Sequence, residues 1–215
     1  RVPAMRAGPG GEPEPAPAPR GGHTASKVGG ETVVVFGGHT AAQETLGDVA
    51  VLHMSPAGWA WQKLTIGGAA PGARSSHSAV VHGDRLVVFG GRTADGGVLN
   101  DVRALNVRGQ KPTWEHPETS GRAPEARSAH AACLIEDGMV VHGGVNSSKK
   151  QLADVAVLRL EGTTWRWEAL APAGTGPSAG PGRLSSHAAV AVQASGLSGP
   201  GAWARPPGAR GRQGP

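Results

Sequence analysis

Tyrosine is absent from this chain, phenylalanine occurs twice and cysteine once. A single cysteine, Cys133, excludes an internal disulfide. It lies in the apolar stretch Ala131-Ala132-Cys133-Leu134-Ile135, where a small buried core residue is expected rather than an activated nucleophile. No run of 18 apolar residues exists, so no membrane helix is expected. Residues 1–20 lack the apolar core of a signal peptide, which sets a cytoplasmic location as the expectation, with the nucleus as the alternative. Charged residues make up only 17% of the 215. The net charge of +5 belongs mostly to the ends, Arg205, Arg210 and Arg212 supplying three of the excess positive charges. The body has no clustered basic face, so nucleic acid is not an expected partner. Also missing are a phosphate-binding P-loop, a CxxC pair and a Ser-His-Asp order.

Glycine and proline are abundant instead, 35 and 18 residues, about a quarter of the chain. That level alone suits low-complexity sequence. Position argues otherwise. Residues 1–22, 172–182 and 193–215 take 28 of the 53. The remainder is a density that a turn-rich folded domain tolerates. Residues 1–19 and 193–215 are therefore expected to be disordered flanks of a folded body over 20–192.

The body repeats. Gly37-Gly38, Gly90-Gly91 and Gly143-Gly144 recur every 53 residues, as do Asp48, Asp101 and Asp154, and Trp61, Trp114 and Trp167. Leu46, Leu99 and Leu152 keep the same phase. An Arg and a His precede each diglycine, Arg20 with His23, Arg74 with His77 and Arg127 with His130, and a fourth such pair, Arg183 with His187, follows. The units run 20–73, 74–126 and 127–182, with a fourth opening at 183–192. A period near 50 indicates propeller blades or another array. In the second unit, residues 77–82, 85–89, 101–107 and the segment around Trp114 are short β-branched or alternating runs between turn signals, which predicts four strands.

The pattern Arg-x-x-His, an apolar strand, Val-Val-Phe-Gly-Gly, Leu-x-Asp-Val and Trp resembles the kelch repeat. That resemblance implies an all-β fold of kelch-type propeller blades, each of four antiparallel strands. About three blades and the first strand of a fourth are expected, an incomplete ring. It is read first as a fragment or misread frame beyond residue 192, with ring completion by another copy or partner, or an open array, as alternatives. His142 replaces Phe36 and Phe89 in the third unit, and aromatics usual in the third strand are Ala and Leu. These departures predict a looser core. The marker residues are assigned to repeat building. The glycines allow a sharp exit from the second strand, the Asp caps the third, the Trp packs across blades, and the His and Arg serve structural hydrogen bonds rather than a metal ring.

Function is expected at one end of the blades. Turns between strands 1 and 2 are tight (Gly29-Gly30, Gly83-Asp84, Asp137-Gly138). Loops between strands 2 and 3 (39–45, 92–98, 145–151) and linkers between blades (65–73, 117–126, 171–182) are longer, and long loops on a rigid scaffold carry binding. The candidate protein-binding residues are His39, Glu44, Arg92, Asp95, Asn146, Lys149 and Lys150. No catalytic, metal or cofactor residue is assigned, and no cofactor is expected. A copper radical oxidase of the galactose oxidase type needs Tyr, which this chain lacks. Glu44-x3-Asp48-x4-His53 only grazes the Glu-x3-Asp-x3-His pattern of the specifier proteins, whose metal-dependent chemistry is the enzymatic alternative. The expectation is a non-catalytic scaffold or adaptor with protein partners, able to self-associate through its open blade edge.

Overall fold

β-Branched residues alternate inside each unit, and each alternation becomes a strand with two packed faces. The computed structural model describes residues 15–62, 64–108, 111–170 and 182–191. The first sheet contains β1 (Thr24–Lys27), β2 (Thr32–Phe36), β3 (Val49–Ser55) and β4 (Gly58–Gln62) in that order, each pair antiparallel. The second is built from β5 (Gly67–Gly68), β6 (Ser78–His82), β7 (Arg85–Arg92), β8 (Val98–Asn106) and β9 (Thr113–Glu115). The third is built from β10 (Thr119–Gly121), β11 (Ala131–Ile135), β12 (Gly138–His142), β13 (Val155–Arg159) and β14 (Trp165–Leu170). Within each, four strands form an antiparallel meander in sequence order. These are three propeller blades, and the described residues close no ring.

The linkers depart from the sequence reading. The one after β4 lays Gly67–Gly68 parallel to β9 of the second blade, and the one after β9 lays Thr119–Gly121 parallel to β14 of the third. Each linker therefore supplies a fifth, outermost strand to the blade it leads into. The third linker, residues 171–181, lies outside the described residues, as do the flanks 1–14 and 192–215.

Between blades lie two separate cores. Val34, Phe36 and Val51 of blade 1 meet Leu86, Val88, Leu105 and Trp114 of blade 2. Val80, Val87, Phe89, Val102 and Ala104, on the other face of blade 2, meet Met139, Val141, Leu158, Trp165 and Trp167 of blade 3. Phe36 stands 5.0 Å from Trp114, and Phe89 stands 4.9 Å from Trp167, both tilted. The expected packing of Trp across blades is what these pairs show. The looser core expected for the third unit is not seen on this side, where Met139, Val141 and Leu158 are fully buried.

Two local expectations are corrected. The third hairpin turns at Glu136-Asp137, Glu136 taking φ 52°, and Gly138 already begins β12. The first strand expected for the fourth unit, within 183–192, is not formed over 183–191. Its backbone is nonetheless docked in the repeat's register: the Gly144 amide donates to the Leu184 carbonyl and the Ser186 amide to the Ala129 carbonyl. The described residues contain no second strand for it to pair with.

Candidate interaction surface

Each second strand reaches a diglycine at positive φ, and the next unit's opening segment lies against it. The amides of Gly38, Gly91 and Gly144 donate to the carbonyls of Arg74, Arg127 and Leu184. A Cβ on Gly37 would come within 2.5 Å of the Arg74 carbonyl oxygen, so close backbone approach dictates glycine there. The third residue of each opening segment, Gly22, Ser76, Ala129 and Ser186, adopts the left-handed conformation. This equivalence identifies Leu184, not Arg183, as the fourth counterpart of the repeated Arg.

The Arg side chains turn back into their own blades. Arg20, Arg74 and Arg127 form two-pronged ion pairs with Asp48, Asp101 and Asp154, with N–O distances of 2.7–3.0 Å. They also donate to the carbonyls of Gly37, Gly90 and Gly143. The recurring Asp therefore anchors a buried guanidinium rather than capping a strand. Burial alone would raise the Asp101 carboxyl, but hydrogen bonds from Arg74 and Arg103 overcome this and hold it below the usual carboxylate range. Asp154 is lowered in the same way, by Arg127.

The histidines link blades. His77 shares a 2.9 Å hydrogen bond with Thr24, and His130 one of 2.7 Å with Ser78, across the first strands. Their rings lie against Phe36 and Phe89. Burial, then the neighbouring Arg74 or Arg127 charge, pushes each down to about 3, so both are neutral near pH 7. Where Ala131 replaces the hydroxyl residue, His187 instead meets His142, Nε2 to Nδ1, at 3.1 Å.

This framework positions three equivalent loop tips between strands 2 and 3. The amides of Thr40, Thr93 and Asn146 donate to the carbonyls of Glu44, Gly97 and Lys150. Gln43, Gly96 and Lys149 turn each tip at positive φ. The candidate residues then divide. Glu44, Asp95, Lys149 and Lys150 are exposed at the tips, and Arg92 is exposed at the end of β7, its backbone bonded to Ser75. Asp95 accepts from the Thr93 hydroxyl and the Gly97 amide, which lower its carboxyl. His39 is half-buried, exchanging two 2.9 Å backbone bonds with Gly21. Asn146 is buried: its amide donates to Glu125 at 2.7 Å, and its oxygen accepts from Ser148 and Lys150. The two are framework of the tips, and no sequence spacing signalled the Asn146–Glu125 bond. The tips grade from acidic in blade 1, through mixed in blade 2, to basic in blade 3.

The grazing Glu44–Asp48–His53 pattern is not assembled. Asp48 is held by Arg20, and His53 Nδ1 stands 3.4 Å from Thr32 Oγ1. Among the described residues, no three His, Cys, Asp or Glu side chains form a group that could hold a metal.

The KLHDC2/KLHL20/DRC7 Kelch-repeats domain profile matches residues 11–197. Acyl-CoA-binding domain-containing protein 4 of Arabidopsis thaliana is 32% identical over 150 residues, covering 69% of this chain and 21% of its own. Adagio protein 3 of the same plant is 35% identical over 140 residues, covering 64% and 22%. Human multiple epidermal growth factor-like domains protein 8 is 35% identical over 155 residues, covering 70% and 5%. This chain thus spans about a fifth of the first two relatives. Among solved structures, that of YjhT superposes with a TM-score of 0.57 at 18% identity, over 80% of this chain and 55% of the other.

Proposed function

Because this chain belongs to the kelch-repeat family, we propose that it is a non-catalytic protein-interaction module, with the end bearing the loops between strands 2 and 3 as its contact surface. The observation that carries this reading is the set of three tips. Their backbones share one hydrogen-bonded form, while the exposed side chains differ in charge from blade to blade. A rigid scaffold with variable displayed residues suits recognition of a partner, and complementary charge sets its orientation and on-rate. In the first two linkers, residues 67–68 and 119–121 are committed to sheet edges, which leaves the rest of each linker for contact. The partner surface best matched to this row is acidic where it meets Lys149 and Lys150 and basic where it meets Glu44.

Affinity capture with three forms of the chain tests this. Wild type and Glu136→Lys, altered at the opposite end, should retain the same partner, and Lys149→Glu/Lys150→Glu should lose it. Equal recovery by all three, or loss only in Glu136→Lys, would sink the assignment of the surface.

A further inference from the structure

The two ends of the blade array carry matching halves of an interface that the chain already builds twice. Among the described residues, the exposed large apolar side chains are Met54, Trp59, Leu184 and Val190. The first pair lies in blade 1, the second pair just beyond blade 3. Contiguous exposed apolar surface on a soluble scaffold marks an interaction site.

The contact between blades 2 and 3 shows what covers such a face. Its segment Trp59-Ala60-Trp61 corresponds, two repeats on, to Trp165-Arg166-Trp167. Trp165 and Trp167 are each only 4% exposed, because the Val80, Val87, Phe89 and Val102 face of blade 2 packs on them. Trp59 is 69% exposed. Cross-strand pairing of Leu52 with Trp61 and Met54 with Trp59 puts the four side chains on one face. His23, whose counterparts His77 and His130 are buried, is exposed as well. The complementary face on blade 3 is only partly covered: Cys133, Val140, His142 and Val155, at the repeat positions of Val80, Val87, Phe89 and Val102, are half-buried, and Val157, at the position of Ala104, is buried.

We propose that two copies of this chain associate head to tail, blade 1 of each seated on blade 3 of the other, closing a six-bladed ring. Trp61 of one copy would lie against His142 of the second, as Trp114 lies against Phe36. Closed propellers have four to eight blades. If three blades turn through half a circle, two identical head-to-tail contacts close on a two-fold axis instead of growing into a filament.

The slot at Gly144 is held by residues 184–191, which a second copy's 20–23 segment would displace. That occupant is weak. Leu184 cannot make the two-pronged Asp bond that Arg20 makes with Asp48, and residues 184–191 form no strand.

Sedimentation velocity and light scattering on the full chain test the proposal. Wild type should run at twice the 21.7 kDa chain mass. Trp59→Glu, at an exposed position, should be a folded monomer by circular dichroism, and so should Val140→Glu. Mixing the two should restore a one-to-one complex, because one contact remains intact between them. The proposal is overturned by a monomeric wild type, whatever covers the faces instead. Loss of the dimer in Trp59→Glu with retention in Val140→Glu would overturn it too, since blade 1 would then pair with itself. Growth into filaments would show that the contact does not close.

Discussion

Arg74 places a guanidinium in a nearly dry site where Asp101 is its carboxylate partner among the described residues, and removal of that carboxylate takes away the charge that pairs it. Breaking such a pair costs about 3 kcal/mol. Asp48 occupies the same position in blade 1 but is half exposed, and screened pairs cost about 1 kcal/mol or less. Asp101→Ala should therefore lower the urea midpoint more than Asp48→Ala, and equal shifts would refute the burial argument. His77 and His130 set the pH response. The unfolded chain protonates them near the ordinary histidine value, whereas the folded chain keeps them neutral down to about 3. Between those limits the unfolded state binds more protons, so stability is whole above about pH 6.5 and falls as pH drops toward 3. The slope reaches at most about 1.4 kcal/mol per pH unit for each histidine. Unfolding measured at pH 7, 6 and 5 should show the decline, and His130→Gln, which can still bond Ser78, should flatten it.

At the level of strands and turns, the diglycine is a steric requirement. Gly90→Ala would force a Cβ within 2.8 Å of the Arg127 carbonyl oxygen at φ 64°, whereas Gly83 sits at φ 56° with open space around it. Gly83→Ala should cost about 1 kcal/mol, the conformational strain alone, and Gly90→Ala clearly more. Thermal melts of the two variants decide this. Much at this level was legible in the sequence. Val-Val-Phe at 87–89 became the middle of β7, and Trp114 and Trp167 pack across blades because their 53-residue phase reflects one repeated contact. Other features depend on partners far along the chain. The Arg–Asp pairs span 27 or 28 residues, and a capping Asp and an ion-pairing Asp look alike in one sequence. Gly67–Gly68 and Thr119–Gly121 have little strand propensity, and they pair only because a neighbouring blade presents an edge. Arg183 fits the repeat by residue type, whereas the backbone register selects Leu184. At the loop tips, exposure was legible for Glu44 and the lysines but not the burial of Asn146, which rests on Glu125.

Across the whole molecule, stability is a sum of blade interiors and blade-to-blade contacts. Blade 2 alone is covered on both faces by described residues. In the Trp59→Glu chain, whose blade 1 face stays open, hydrogen exchange should be slowest for amides of β7 and β8 and fastest for β4 and 184–191. Uniform protection over the three blades would contradict a nearest-neighbour array.

The linker strands β5 and β10 make the inheritable unit differ from the visible one. A blade as the eye sees it mixes chain from two successive repeats, like courses of shingles laid with overlap. Excising the residues of β6 to β9 alone would leave β5 without its mate and β10 without its tether. Excising any full 53-residue period would bring each linker onto the next outer strand again. Gain and loss of blades in such a gene is therefore expected to proceed in whole periods at any phase, with the ends of an exchanged segment free to fall inside a strand.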